Sequence, residues 1–147
     1  MNWRERYIAA HKKQFAEKYP EAWKDGRWYK PPFPKVATAN GLTAFICNFI
    51  NWQGYRATRI SSAGRFVPGN KFEGGGRFIP GPTRRGTADI SATIKGRSVM
   101  IEVKVGKDKP SEWQLAEQAK ERAAGGTYEF CHDPDEFLRL YDEILVG

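Results

Sequence analysis

The chain has 147 residues, of which 40% are hydrophobic and 14% aromatic, with a net charge of +7. That supplies one packed domain with a single core, while no apolar run reaches the roughly 18–20 residues of a membrane span. The opening MNWRERYIAAHKKQ lacks the apolar stretch of a signal peptide, so the expectation is a soluble, cytoplasmic protein with no membrane partner.

The charge is unevenly spread. Residues 1–85 carry 16 Lys/Arg against 5 Asp/Glu, and residues 86–147 carry 8 against 12. A basic first half points to a polyanion, most often nucleic acid, although a solvated surface gives the same count. Cys47 and Cys131 stand far apart and fit neither metal-ligand nor disulfide spacing. They read as small buried hydrophobes in a reducing compartment.

Residues 3–18 form a helix with an uneven stripe of Trp3, Tyr7, Ile8 and Phe15, ended at Tyr19-Pro20. The irregular Pro- and aromatic-rich segment that follows makes residues 1–39 a basic N-terminal arm. Residues 42–53, LTAFICNFINWQ, are an apolar helix stopped by Gly54. YRATRIS alternates as a strand. Residues 62–86 hold seven Gly and three Pro, too long for an ordinary connection, so either a functional loop or disorder is expected. Phe66, Phe72 and Phe78 interleave there with Arg65, Lys71, Arg77, Arg84 and Arg85. Together with Arg59 on the preceding strand, these bases suit phosphate contact and base stacking. Phe residues pinning a loop to the core would look the same.

The second half is clearer. ADISATIK (88–95) and SVMIEVKV (98–105) alternate as two strands about a Gly96-Arg97 turn. Residues 111–124 form a helix capped by Ser111, TYEFCH is a third strand, and Asp133-Pro134 with Glu136 opens the last helix. The order implies an α/β domain with a central mixed sheet.

In the hairpin, Ile90, Ala92 and Ile94 share a face with Val99, Ile101 and Val103. Asp89, Glu102 and Lys104 fall on the other. A Gly96-Arg97 turn pairs Lys95 with Ser98 and Ile94 with Val99, setting Asp89 opposite Lys104 and Ser91 opposite Glu102. The two carboxylates are then diagonal neighbours, roughly 7–8 Å apart. Two carboxylates and a lysine suit phosphodiester hydrolysis: the acids hold Mg²⁺ and the lysine faces the developing charge. The same three residues also read as a cross-strand ion pair on a wet face, worth under about 1 kcal/mol.

GTADI, eleven intervening residues, EVK, and a helix bearing Gln114 together resemble the PD-(D/E)XK nuclease superfamily. Within it, the likeness is to virus-type replication-repair nuclease (VRR-NUC) domains and archaeal Holliday junction resolvases. It covers roughly residues 40–133 and implies a restriction-endonuclease-like core of αβββαβ order over residues 40–147. It further implies that Asp89 and Glu102 bind Mg²⁺ (or Mn²⁺) with the Val103 carbonyl, that Lys104 is the catalytic lysine, and that Gln114 contacts the site or DNA. Ser111 and Gln114 also have capping-box spacing, so Gln114 has a purely structural reading too. The implied activity is a metal-dependent DNA endonuclease on branched or structured DNA, in recombination, repair or phage DNA processing. A C₂ homodimer is expected if the substrate is a junction.

Two features depart from that pattern. Ala88 replaces the usual Pro, and the helix over residues 42–53 holds no Asp or Glu, leaving Asn40, Thr43 or Asn48 to stand in as weaker ligands. A nucleic-acid-binding module with weak or lost catalysis is therefore the alternative. A third reading is an interaction protein that self-associates through its charge asymmetry. His11 and His132 lack spaced partners, Ser61 and Ser62 read as turn residues, GGG at 74–76 is no P-loop, and Trp113 reads as core.

Overall fold

The computed structural model describes residues 1–60, 65–69, 74–79 and 86–147. Its centre is the hairpin of β4 (Ile90–Ile94) and β5 (Arg97–Val103). The connecting turn is Lys95-Gly96, not Gly96-Arg97: Ile94 pairs with Arg97, Ala92 with Val99 and Ile90 with Ile101. Both turn residues have positive φ, 51° at Lys95 and 78° at Gly96. This is the twist that a two-residue hairpin favours, with glycine second. The register thus shifts by two residues from the expected one. A shift of two preserves the face of every side chain, because the strand period is two.

Four strands make the main sheet, in the order β1–β4–β5–β6, with β1 (Arg56–Arg59) and β6 (Thr127–Cys131) at its edges. The first two pairings are antiparallel and the β5–β6 pairing is parallel. The return to β6 runs through α4 (Glu112–Ala123), as a parallel pair requires a crossover. Helices flank the sheet: α3 (Ala39–Trp52), α5 (Pro134–Val146) and α1 (Trp3–Lys18) join its apolar face in one core. The protein is therefore mixed α/β, with a four-stranded mixed sheet.

Phe45 and Phe49 of α3 anchor that core. Both are fully buried and meet Phe137 edge-on at 6.0 and 5.8 Å. The N-terminal segment packs into the same cluster. Trp3 meets Phe45 at 5.3 Å, and the Tyr7 hydroxyl accepts from Asn48 Nδ2 at 3.0 Å. Arg6 grips the Asp142 carboxylate with both terminal nitrogens, at 2.9 and 2.7 Å.

The helix ends follow their signals. Asn2 and Glu5 form a capping box on α1. Asp133 accepts from the Glu136 N–H at 2.8 Å with Pro134 at the first turn of α5. The arm is less irregular than its composition implies, since Pro20–Lys24 forms the short helix α2 with proline in its first turn. Within residues 62–86, β2 (Arg65–Val67) and β3 (Arg77–Ile79) pair as a small antiparallel ladder. Among the described residues, no helix is long and apolar enough to cross a membrane.

Candidate active site

The cluster lies where β5 ends between its two neighbours. The Ile60 N–H donates to the Asp89 carbonyl at 2.7 Å, carrying the β1–β4 ladder on to Asp89. The Lys104 N–H donates to the Cys131 carbonyl at 2.9 Å, carrying the β5–β6 ladder on to Lys104. Both functional backbones are thereby held by sheet hydrogen bonds on rigid elements.

Continuing the observed register, Asp89 stands directly across from Glu102, not diagonal to it. Each carboxylate bonds the other strand's backbone. The Asp89 N–H donates to Glu102 Oε2 at 3.1 Å, and the Val103 N–H donates to Asp89 Oδ2 at 2.9 Å. Lys104 Nζ lies 3.7 Å from Glu102 Oε1. Lys104 does not face Asp89 across the strands, as the Gly96-Arg97 turn would have required.

Gln114 makes two hydrogen bonds at once. Its Oε1 accepts from the Ser111 N–H at 2.9 Å, closing the capping box of α4. Its Nε2 donates to Glu102 Oε1 at 2.7 Å. A single planar amide therefore ties the helix start to the buried acid.

The ion pair is not on a wet face. Glu102 is only 5% exposed, and the Lys104 side chain is 13% exposed. Burial pushes the Glu102 carboxyl up to about 7, the Asp89 charge adds to the rise, and Lys104 opposes it. Tyr128 lies buried on the neighbouring strand, and its phenol is raised by burial and by the charges of Glu102 and Asp89. Its hydroxyl donates a hydrogen bond to the Gly86 carbonyl at 2.8 Å.

Sequence reasoning missed Tyr128 because nothing local links it to the acids. It also missed the reason for Gly86. That glycine has φ +82°, and a Cβ there would stand 2.3 Å from the Trp113 carbonyl oxygen, so only glycine lets this chain pass the start of α4. Trp113 itself is 49% exposed and not core. Cys131 is buried as expected, whereas Cys47 is partly buried.

The three stand-in residues of α3 are otherwise engaged. The Thr43 hydroxyl donates to the Ala39 carbonyl, Asn48 bonds Tyr7, and Asn40 Oδ1 accepts from Arg59 at 2.6 Å. Among the described residues, no three or more His, Cys, Asp or Glu side chains group to hold a metal. The site offers two carboxylates. Of the candidate phosphate contacts, Arg59 is exposed and bonded to Asn40, and Arg77 is exposed on β3. The Arg65 backbone lies on β2. Lys71, Arg84, Arg85, Ser61 and Ser62 lie outside the described residues. Both histidines have partners away from the cluster: His11 Nδ1 accepts from Trp28 Nε1 at 2.9 Å, and His132 Nδ1 lies 2.9 Å from Glu136 Oε2.

No family model matches the chain, and no curated protein or solved structure matches it.

Proposed function

We propose that this chain is a metal-dependent DNA endonuclease with a restriction-endonuclease-like core, acting on branched or otherwise structured DNA. One observation carries the reading: a carboxylate withdrawn from water beside a second carboxylate, with a lysine 3.7 Å away and a glutamine holding it. Two like charges set together in a buried place are costly unless they serve a cation. The order α3, three sheet strands, α4 and β6, with the acids on the central hairpin, supports the same reading.

The donor set fits Mg²⁺, which takes oxygen ligands from one or two carboxylates and fills its remaining positions with water and substrate phosphate. Asp89 and Glu102 would hold it, with the Val103 carbonyl as the third protein oxygen, and it would supply charge neutralisation and an acidified water. The chain's own residues do the rest. Lys104 places a point charge beside the scissile phosphate and stabilises the charge that develops there. Gln114 fixes the orientation of Glu102. The Val103 N–H fixes Asp89, so neither acid reorganises when substrate arrives.

The test is cleavage of labelled single-stranded, duplex, flap and four-way junction DNA in Mg²⁺ or Mn²⁺. Wild-type protein should cut at least one of them. Lys104→Ala and Glu102→Ala should each lose about 100-fold or more. Metal-dependent cutting that survives both substitutions would sink the proposal.

The engaged state of Asn40, Thr43 and Asn48 favours a second reading, a nucleic-acid-binding module on a nuclease fold. On that reading DNA binds, no divalent ion elicits cutting, and Lys104→Ala leaves binding unchanged.

A further inference from the structure

The aromatic residues of the first 35 positions fall into two sets. Trp3 and Tyr7 turn toward the core. Tyr19, Trp23 and Tyr29 turn outward, at 48%, 39% and 69% exposure.

The outward set is one connected surface on a fixed base. Buried Phe15 lies 5.3 Å from Tyr19 and 6.5 Å from Trp23. His11 lies 6.3 Å from both Phe15 and Tyr29, and 4.8 Å from Trp52 of α3. The Trp28 indole is pinned by its bond to His11. The rings therefore need little ordering to receive a partner.

Cations surround them. Lys12 Nζ lies 4.9 Å from the Trp28 ring centre and Lys18 Nζ 5.4 Å from that of Tyr19. Lys24, Arg27 and Lys30 are exposed in the same segment, Lys24 3.8 Å from Glu21, Arg27 3.4 Å from Asp25 and Lys30 over the Phe33 ring. Residues 12–35 hold seven Lys/Arg against three Asp/Glu. Protein–protein interfaces are enriched in aromatics but depleted in lysine. Exposed rings among lysines fit phosphates with unpaired bases between them, because every base has a face to stack and the backbone follows the charge. A closed duplex hides those faces.

Helix α3 links the site's end of the sheet to His11 at the base of the patch. The first turn of α3 is tied to the site's end of the sheet through Asn40 and Arg59, and Arg59 pairs with Ile90. The last turn carries Trp52 against His11. Fourteen residues of helix span about 20 Å, or about six nucleotides at stacked spacing.

We propose that Tyr19, Trp23 and Tyr29, with the lysines around them, form a binding platform for single-stranded nucleic acid. It would hold an unpaired segment a few nucleotides from the phosphate at Glu102. The inference shares with the proposed function only its nucleic-acid partner, and its test needs no cutting. Wild-type, Tyr29→Ala, Trp23→Ala and the double variant are titrated in EDTA against a labelled oligothymidylate and a blunt duplex of equal length, read by fluorescence anisotropy.

Each single substitution should weaken oligothymidylate binding about 5- to 100-fold and duplex binding less than about twofold. Unchanged circular dichroism melts would show that the fold is intact, as expected for exposed side chains. The proposal is overturned if wild-type does not bind the single strand, if the double variant binds it as tightly, or if both substrates weaken equally. The last two outcomes would leave the patch to an acidic protein partner or to charge alone. Failure of the endonuclease reading would appear separately, as metal-supplied protein that binds and never cuts.

Discussion

Glu102→Gln gives a measurable crossover in stability with pH. In the metal-free fold the Glu102 carboxyl is raised from 4.5 to about 7, chiefly by burial and then by Asp89. The folded state therefore holds the proton more tightly than the unfolded chain. Stability is greatest below the unfolded value and falls as pH rises through the folded one. The full loss, reached above about pH 8, is about 3 kcal/mol. Glutamine cannot ionise, so the variant escapes this loss. It has a cost of its own: Glu102 accepts from both Gln114 Nε2 and the Asp89 N–H, and one amide oxygen serves only one of them, at about 1–2 kcal/mol. Urea unfolding in EDTA should then find Glu102→Gln less stable than wild-type by up to about 1 kcal/mol near pH 5, and more stable by about 1–2 kcal/mol above pH 8. Excess Mg²⁺ should restore the wild-type protein at high pH and leave the variant unmoved. Parallel stability curves from pH 5 to 8.5 would refute the reasoning.

Gly86→Ala should cost about 1–3 kcal/mol of unfolding free energy and lower cleavage, because the new methyl meets the Trp113 carbonyl at a φ of +82°; denaturant melts and the junction assay read the two effects. Gln114→Glu keeps an acceptor for the Ser111 N–H but sets a like charge where the amide donated to Glu102, so unfolding free energy should fall by about 1–3 kcal/mol at pH 8 and cutting by more than about tenfold. Equal cutting by Gln114→Glu and wild-type protein would leave Gln114 as a cap alone. Phe45→Ala should cost about 3–5 kcal/mol in urea unfolding, since Phe45 is fully buried against Trp3, Tyr7 and Phe137; a loss under about 1 kcal/mol would show that α1 and α3 do not share a core.

Alternation in two short strands was enough to put Asp89, Glu102 and Lys104 on one face, because a side chain's face depends only on parity. The same property makes the result blind to a slip of two residues. The turn could be read at Gly96-Arg97 or Lys95-Gly96, since glycine tolerates either turn position. The Lys95-Gly96 turn also has a tertiary partner: the Lys95 ammonium reaches the Leu145 carbonyl at the end of α5, at 2.5 Å, where a helix's free carbonyls favour a cation. Local capping chemistry likewise made the starts of α4 and α5 readable from Ser111, Gln114, Asp133 and Pro134, because a cap bonds within three residues.

Contacts between distant segments decided the rest. Glu102 is buried because strands on both sides and α4 close around it, and an ion pair in a strand pattern does not reveal how much water reaches it. Gln114 can cap its helix and hold Glu102 together only because the crossover brings the start of α4 back over β5. The N-terminal arm belongs to the core because Trp3 and Tyr7 find Phe45, some forty residues away. Sequence order sets what each segment prefers by itself, and long-range packing alone sets what it meets.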